Sequence, residues 1–474
     1  MNNRKYEAVI GLEVHVELKT GTKIFCSCSS EFGDQPNTHV CPICLGMPGA
    51  LPNLSGMAVE FAIRAGLALN CDIQMESHFD RKNYFYPDLP KGYQITQYEH
   101  PICLGGFVPI AVNGEEKYVR LERIHLEEDA GKLIHDGDKT FVDHNRSGVP
   151  LIEIVSAPDM RSPEEAKAYI NSLRRILLYT GVSDCRMNEG SLRVDVNVSL
   201  RPIGSKELGV KCELKNLNSV HHIGKALEYE IARQAKILDE GGIISAETRR
   251  YDENTGKTER MRKKETVVDY RYFREANIPT VILNEQYLQK IKNNMPQMPD
   301  ELANELVCAY DLKSDDAFLL TQTVKISEYF LKCVASTDYK KTCANFVIGE
   351  ILPRIDEADE FPITPDFLAE ICTMFGEGLI SSSVAKKLIV LSNERKESPL
   401  AIAKKEKMLK ITDPKILCEY AHDAIEMNEK AVLDYKKGKK TAIKQLLGYV
   451  MKITGGAADP VITEQLLEQE LDQA

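Results

Sequence analysis

The sequence lacks a long apolar run. No stretch of its 474 residues reaches the roughly 18–20 apolar residues that a membrane-spanning helix needs. The first residues, 1–7, contain no apolar signal-peptide segment and lead directly into a strand-like stretch. We therefore expect a cytoplasmic protein with no membrane partner.

The composition also lacks the marks of a secreted disulfide scaffold and of a strongly basic protein. The 13 cysteines are an odd number in a long chain, which favours reduced thiols or metal ligands. A net charge of −11 argues against nucleic-acid binding by the chain as a whole, because phosphate contacts need Lys and Arg. Hydrophobic residues at 43% and charged residues at 28% are typical of a soluble globular protein.

Two common nucleotide-binding motifs are missing. The run Thr255-Gly-Lys-Thr258 resembles the end of a P-loop, but Tyr251 stands where the motif requires its first glycine. There is also no G-x-G-x-x-G motif. Any ATP site in this chain must therefore be of a different type.

The pattern of segments predicts an α+β protein with several domains. Strand-like and helical segments are mixed without regular alternation over residues 1–294, which favours a mixed antiparallel-sheet domain over a doubly wound one. A Pro-containing break begins at Met295, and the pattern is helical from there on. We predict an all-helical domain over residues 295–411 and a small helical tail domain over residues 412–474.

One predicted strand carries three polar side chains on one face. In Leu12-Glu-Val-His-Val-Glu-Leu18, Glu13, His15 and Glu17 alternate with apolar residues and therefore share a face. Two carboxylates and an imidazole in a row suit a hard cation. A half-exposed strand with a solvated polar face would have the same pattern.

Further acids occur in similar settings. Asp195 lies on the polar face of a second alternating strand, Glu213 on a third, and Glu128 follows His125 in an acidic run. Glu153 is enclosed in the apolar run 149–155, where an unpaired carboxylate would cost several kcal/mol, so it needs a cationic partner. That partner could be Arg or Lys, or these acids could converge on Mg²⁺ in a site for phosphoryl transfer.

Four cysteines have the spacing of a structural zinc site. Cys26 and Cys28 are followed a dozen residues later by Cys41 and Cys44, which flank a polar, turn-rich segment. Two such pairs match a tetrahedral Cys₄ zinc knuckle over residues 26–44, with no open position for catalysis. Four unligated thiols are the alternative.

Two further segments are candidates for contact with nucleotide or RNA. Residues 79–97 place basic, amide and aromatic side chains in a Pro-bounded loop, which suits phosphate contact and base stacking, although the aromatics could instead pack on the core. Near the C-terminus lysines cluster on helical sequence, which fits a phosphate-backbone contact or a solvated helix face. The lysines of this cluster are Lys436, Lys437, Lys439, Lys440 and Lys444.

Several motifs together resemble one family. The most specific are the runs 9–18, 81–88 (Arg-Lys-Asn-Tyr-Phe-Tyr-Pro-Asp), 125–132 (His-Leu-Glu-Glu-Asp-Ala-Gly-Lys), 150–156, 190–193, 213–219 and 269–273 (Asp-Tyr-Arg-Tyr-Phe). With these motifs the chain resembles the B subunits of the aspartyl/glutamyl-tRNA(Asn/Gln) amidotransferases over its whole length.

The resemblance implies a function and an architecture. The first domain would be the family's cradle domain, which takes the aminoacylated end of tRNA(Gln) or tRNA(Asn). It would use ATP and Mg²⁺ to phosphorylate the side-chain carboxylate of the misacylated residue. Ammonia would come from the amidase, or A, subunit of a complex that also contains a small C subunit. This chain itself shows no amidase signature. The helical tail domain would grip the body of the tRNA.

The resemblance also assigns residues. It places Mg²⁺ ligands, and with them the catalytic centre, at Glu13, His15, Glu128, Glu153, Asp195 and Glu213. It makes Lys82 and Asn83 candidates for contacts to the nucleotide or to the tRNA end. Many members of the family lack the four cysteines, so zinc would be a feature of a subfamily and unnecessary for the chemistry.

Two other functions agree with parts of the sequence. A non-catalytic, zinc-containing tRNA-binding scaffold would have the same basic cluster and cysteines. The related archaeal-type subunit, which acts on glutamate only, would have a similar catalytic domain, but it carries an inserted domain for which this chain has no room.

Overall fold

A computed structural model describes residues 5–263, 269–355 and 360–473 of the chain. Contacts between residues divide the chain into two compact units, Met1–Met298 and Pro299–Ala474. The first unit holds the strands and the second is helical, so the α+β prediction is confirmed. The division into three domains, with boundaries after residues 294 and 411, stays a prediction. Among the described residues, no helix combines the length and apolar composition that a bilayer crossing requires.

The strands of the first unit are mostly antiparallel. In chain order they are β1 Tyr6–Glu17, β2 Asp72–Ile73, β3 Glu76–Ser77, β4 Asp80–Asn83, β5 Tyr93–Thr96, β6 Cys103–Leu104, β7 Phe107–Val112, β8 Glu115–Glu128, β9 Lys132–Asp136, β10 Lys139–Asp143, β11 Pro150–Ser156, β12 Leu192–Pro202, β13 Cys212–Lys215, β14 Glu247–Asp252, β15 Lys257–Lys263, β16 Phe273–Arg274 and β17 Val281–Ile282. Within the described ranges, most of them join in one sheet with the path β15-β14-β13-β12-β1-β11-β8-β5-β4-β16. The pair β13 and β14 is parallel, which makes the sheet mixed.

Helices are interleaved with the strands of the first unit and dominate the described part of the second. They are α1 Gly56–Ala68, α2 Pro163–Thr180, α3 Val220–Asp239, α4 Glu285–Asn293, α5 Pro299–Tyr310, α6 Ser314–Leu320, α7 Val324–Ala335, α8 Lys340–Phe346, α9 Pro365–Gly376, α10 Ser382–Arg395, α11 Pro399–Lys405, α12 Pro414–Met427, α13 Glu429–Lys436, α14 Ile443–Ile453 and α15 Pro460–Gln473. A π-helical turn, Val347–Ile351, and two 3₁₀ turns, Leu352–Arg354 and Lys440–Ala442, complete them.

Strand β1 lies in the middle of the sheet and shows why the sheet has one apolar face. Leu12, Val14 and Val16 are buried, whereas Glu13 and His15 between them are partly exposed. Such alternation directs successive side chains to opposite faces of the sheet. The apolar face belongs to a core that includes helices α1, α2 and α3, so the polar face is left for a functional site.

Helix α2 begins and ends as its sequence predicts. The Ser162 hydroxyl accepts a hydrogen bond from the Glu165 amide, and Pro163 occupies the first helical position. Gly181 ends the helix in the left-handed conformation, at φ 69°. The buried residues of α2, among them Tyr169 and Leu173, belong to the core beneath the sheet.

The last sixty or so residues have a core of their own. It includes Leu417 and Ala421 of α12, Leu446 of α14, and Leu467 and Leu471 of α15. Helical spacing places these apolar residues on one face of each helix, and burial of those faces stabilises the bundle.

Candidate active site

The register of four neighbouring strands brings ionisable side chains into rows across the polar face of the sheet. Glu13 of β1 lies opposite Asp195 of β12, and His15 lies opposite Glu153 of β11. Glu153 in turn lies opposite His125 of β8. Because directly paired residues point to the same face, residues far apart in sequence become neighbours.

The first cluster consists of Glu13, Asp195 and Glu213, one ligand oxygen from each lying within 4.8 Å of the others. The Asn197 amide donates to Glu13 at 3.0 Å, and the Lys215 ammonium contacts Asp195 and lies 3.1 Å from Glu213. Burial, and then the neighbouring carboxylates, raise the pKa of Glu13. Three carboxylates with one ammonium leave a negative site of the kind that binds a hard divalent cation.

The second cluster consists of His15, Glu127 and Glu153, again with ligand atoms within 4.8 Å of one another. His15 Nε2 lies 3.5 Å from Glu153 and 3.7 Å from Glu127. His125, which is buried, approaches the same two carboxylates at 3.3 Å and 3.8 Å. Two imidazoles and two carboxylates therefore meet next to the first cluster, with Glu13 and His15 two residues apart on one strand.

Electrostatics hold the second cluster in a charged state. Burial would lower the pKa of His125, but Glu153 and Glu127 outweigh it and raise that pKa to about 9. The same imidazoles, acting against burial, hold the pKa of Glu153 well below its usual range. Without a cation, protons on the histidines balance these acids.

A cleft of about 860 Å³ adjoins the first cluster and is lined by Asp195 and Lys215 together with Arg146 and Arg193. The two arginines converge on Asp129, with Arg193 donating at 2.7 Å and Arg146 lying at 3.2 Å. Arginine and lysine side chains around a cleft of this size provide donors for phosphate oxygens.

Glu128 is not brought into either cluster. Its carboxylate contacts the Lys91 ammonium and accepts a hydrogen bond from the Ile95 amide at 2.9 Å. It lines a cavity of about 180 Å³ that Lys91 and Cys44 also line. Glu127, rather than the expected Glu128, therefore lies in the second cluster. The signal that could have identified Glu127 is its two-residue spacing from His125, because such residues share a face of a strand.

Lys82 and Asn83 lie at the end of strand β4 rather than in a loop, paired with Gln94 and Tyr93 of β5. The Lys82 ammonium lies 5.1 Å from the centre of the Tyr270 ring. Burial lowers the pKa of Lys82, but Glu127 and other neighbours more than offset this and leave it above the ordinary value. Lys82 is therefore a cation at the edge of the second cluster.

Asn83 has a different environment. Its side-chain amide donates to the backbone carbonyl of Arg271 at 2.7 Å, and its backbone amide donates to that of Tyr270 at 2.9 Å. Arg271 has a positive φ of 46°. The Asn83 side chain thus holds an unusual turn in the Asp269–Phe273 motif next to Lys82.

The four predicted zinc ligands meet. The sulfur atoms of Cys26, Cys28, Cys41 and Cys44 all lie within 4.8 Å of one another, and those of Cys41 and Cys44 are 3.9 Å apart. Two sulfurs on one tetrahedral zinc, each at about 2.3 Å, would be about 3.8 Å apart. A hydrogen bond from Cys26, helped by the charge on Lys23, lowers the pKa of Cys44 to about 4. The cluster is compatible with a structural zinc ion.

The five lysines near the C-terminus are all exposed. Lys436 ends α13, Lys437, Lys439 and Lys440 lie on the turn that follows, and Lys444 is in the first turn of α14. Gly438, at φ 91°, allows the tight turn among them. The connection between two helices therefore displays a concentration of positive charge.

An α+β unit with carboxylate and imidazole clusters on the polar face of its sheet is followed in the chain by a helical unit. Residues 8–289 match the model of the GatB/GatE catalytic domain, and residues 328–471 match that of the GatB domain. Because the first match covers more than half of the chain, the chain belongs to the GatB family.

Similar proteins cover the chain almost completely. The B subunit of the aspartyl/glutamyl-tRNA(Asn/Gln) amidotransferase from Caldanaerobacter subterraneus is 51% identical over 474 residues, which are 99% of this chain and 100% of the relative. The protein of the same name from Carboxydothermus hydrogenoformans is 49% identical, with 99% of each chain covered. A third relative of that name, from Oceanobacillus iheyensis, is 46% identical, with 98% of this chain and 99% of the relative covered.

Proposed function

We propose that this chain is the carboxylate-activating subunit of a tRNA-dependent amidotransferase, an ATP-dependent carbon–nitrogen ligase. The γ-phosphoryl group of ATP is transferred to a side-chain carboxylate oxygen of Glu-tRNA(Gln), Asp-tRNA(Asn) or both, which gives ADP and an acyl phosphate. The nitrogen of ammonia then bonds to the acyl carbon, and phosphate leaves with the electron pair of its bond. The nitrogen loses one proton, which the leaving phosphate takes up, so the products are the amide and hydrogen phosphate.

The two adjacent clusters of cation ligands support this proposal most directly. Glu13, Asp195 and Glu213 supply oxygens for one Mg²⁺, and His15, Glu127 and Glu153 supply ligands for a second. When bound, Mg²⁺ offsets the negative charge of the phosphates and of the carboxylate that must approach them. The residues fit such ions because each cluster contains buried or half-buried carboxylates whose negative charge needs a positive partner. Lys215 provides it in the first cluster, and protonated histidine in the second.

The chain's own cations have separate roles in this proposal. Arg146, Arg193 and Lys215 line the cleft beside the first cluster and bind phosphate oxygens of the nucleotide. Lys82, next to the aromatic rings of Tyr84 and Tyr270, holds the anionic side chain of the substrate at the second cluster. The reacting groups are thereby positioned before transfer, which is the main contribution of a protein to phosphoryl transfer.

The relatives are named as B subunits, which implies a complex of several subunits, and the family resemblance supplies the other members of the complex proposed here. Ammonia must be supplied by a separate amidase, the A subunit, and a small C subunit completes the heterotrimer. The exposed lysines of the α13–α14 connection contact the phosphate backbone of tRNA(Gln) or tRNA(Asn) without reading bases. Zinc in the cysteine cluster is structural.

The decisive experiment measures release of γ-phosphate from ATP and formation of the amide by the assembled complex, with and without Glu-tRNA(Gln). We expect phosphate release that depends on Glu-tRNA(Gln). The variant Glu13→Gln should lose both activities, while Glu116→Gln, an exposed acid on β8, should keep them.

A non-catalytic scaffold would give the opposite result. It would bind tRNA, but ATP turnover would not depend on the aminoacylated tRNA, and Glu13→Gln would behave like Glu116→Gln. Substituting Asp-tRNA(Asn) for Glu-tRNA(Gln) in the same assay separates an enzyme of dual specificity from one restricted to glutamate.

A further inference from the structure

Helices α12 and α15 of the second unit pack along an apolar seam. Leu417 and Ala421 of α12 are buried one helical turn apart, and Leu467 and Leu471 of α15 are buried in the same way. Residues that immediately follow or precede a buried position on a helix lie at the flank of the buried face, because each step turns the helix by about 100°.

Three metal-ligating side chains lie at one flank of this seam. Cys418 follows Leu417, and His422 lies four residues further along α12, so both project from the same side of the helix. Glu470 precedes the buried Leu471 on α15. Side chains at i and i+4 on one helix, completed by a third from a neighbouring element, are a recurrent way to bind a transition metal.

The distances among these side chains suit a single ion. Glu470 Oε1 lies 3.6 Å from Cys418 Sγ and 3.6 Å from His422 Nε2, and the three ligand atoms lie within 4.8 Å of one another. Around a tetrahedral zinc ion, sulfur and oxygen ligands would be about 3.5 Å apart, and nitrogen and oxygen ligands about 3.3 Å apart. The two distances from Glu470 are therefore within a few tenths of an ångström of those at a zinc site.

We propose that Cys418, His422 and Glu470 form a second zinc site, separate from the four-cysteine cluster. The Cys418 thiolate is a ligand for zinc and not for Mg²⁺, and imidazole and carboxylate also bind zinc. The three side chains leave a fourth position for water. The His422 side chain is 57% exposed, so an ion reaches the site from solvent without unfolding of the seam.

The expected effect of the ion is to clamp α15 onto α12. Two ligands come from one helix and the third from the other. The bound ion therefore adds a link to the apolar packing and to the contacts of Glu470 with Cys418 and His422. An ion that binds the folded state and not the unfolded chain stabilises the fold. The clamp would act on the unit that carries the exposed lysine cluster.

The test counts zinc ions bound per full-length chain after equilibrium dialysis against buffered zinc. Wild type should bind one more zinc ion than Cys418→Ala, and His422→Ala should weaken binding at this site by more than about tenfold. Alanine favours the helix, so these variants keep α12. Cys308→Ala is the matched control, because it also removes a cysteine from a helix of the second unit, and it should bind as wild type does.

Cobalt provides an independent readout at the same site. With the four-cysteine cluster filled by zinc, added Co²⁺ should give a thiolate-to-cobalt charge-transfer band in wild type and in Cys308→Ala. Cys418→Ala should lack that band, and Glu470→Gln should shift it. Equal zinc content in wild type and Cys418→Ala, or no band in wild type, would overturn the proposal and leave a hydrogen bond from Cys418 to Glu470 as the whole role of this cluster.

Discussion

Glu127 and Glu128 are consecutive residues of strand β8, yet their carboxylates lie in different environments. Glu127 lies 3.7 Å from His15 Nε2 on the polar face of the sheet. Glu128 contacts Lys91 in a cavity that the cysteine-rich segment also lines. Alternation along a strand separates them, so a single step in the sequence moves a carboxylate from the cluster of His15 to an ion pair with Lys91.

This separation predicts opposite phenotypes for two matched substitutions. Glu127→Gln should lower the rate of amidation by about 10²-fold or more, because it removes charge from the group of cation ligands, while the fold persists. Glu128→Gln should leave Lys91, whose side chain is only 12% exposed, without its partner and destabilise the first unit by about 3 kcal/mol. Steady-state kinetics of the assembled complex and urea unfolding of each variant check the two effects.

The reverse pattern would restore the original assignment. If Glu128→Gln abolished amidation with an unchanged unfolding midpoint, and Glu127→Gln kept its activity, Glu128 would be the cation ligand. Its ion pair with Lys91 would then have to break on cation binding.

The sequence predicts the candidate site to the extent that local periodicity defines it. Alternation in β1 and β12 identifies Glu13, His15 and Asp195 as polar-face residues, and the structure brings Glu13 and Asp195 together. Strand β8 is harder to interpret, because two adjacent acids, Glu127 and Glu128, follow His125 and Leu126. The two-residue spacing places Glu127 on the face of His125, and pairing with β11 shows that this face carries the cluster.

Clusters assembled from distant elements have no local signal. Cys418 and His422 have helical spacing, but Glu470 joins them only because α15 packs on α12. The four cysteines are the contrasting case, since each pair is local and the spacing alone indicates a common centre. The fold class follows from segment patterns, whereas the strand order of the mixed sheet depends on long-range pairing that no short window contains.

The raised pKa of His125 predicts how stability depends on pH without divalent cations. The imidazole titrates near 6.5 in the unfolded chain and at about 9 in the fold. Below pH 6.5 the protonated imidazole therefore contributes about 3 kcal/mol to the free energy of unfolding. This contribution is lost as pH rises through the folded-state pKa of about 9.

Thermal unfolding between pH 6 and 9, compared with His125→Gln, measures this contribution. Wild type should lose stability across this range, and His125→Gln should lose less. His135→Gln, in the exposed hairpin of β9 and β10, should follow wild type. Saturating Mg²⁺ should flatten the wild-type profile, because a cation at the carboxylates takes over the role of the proton. A wild-type profile parallel to that of His125→Gln would contradict the assignment.

The four-cysteine cluster predicts a zinc-dependent effect on the neighbouring cavity. Gly46, two residues after Cys44, packs so closely on Lys91 that an added Cβ would overlap the Lys91 side chain. Loss of zinc should therefore loosen the contact between Lys91 and Glu128 as well as the segment itself. We expect Cys41→Ser to bind one zinc fewer and to unfold several degrees lower, by the loss of a structural ion.

Cys71→Ser tests whether that loss is specific. Cys71 is also buried in the first unit but lies outside the cluster, so its substitution should leave zinc content unchanged. Metal analysis and thermal unfolding distinguish the two variants. Equal zinc content in Cys41→Ser and wild type would show that the cluster holds no zinc.

The exposed lysines of the α13–α14 connection predict a salt-dependent contribution to tRNA binding. Each phosphate contact that is lost should reduce the slope of log affinity against log salt concentration by about 1. The double variant Lys437→Gln/Lys440→Gln should therefore bind tRNA(Gln) more weakly and with a slope shallower by up to about 2. Lys404→Gln/Lys405→Gln, which removes the same charge from exposed positions on α11, is the matched control. Binding isotherms at several salt concentrations measure both slopes, and equal slopes for the two double variants would place the tRNA contact elsewhere on the chain.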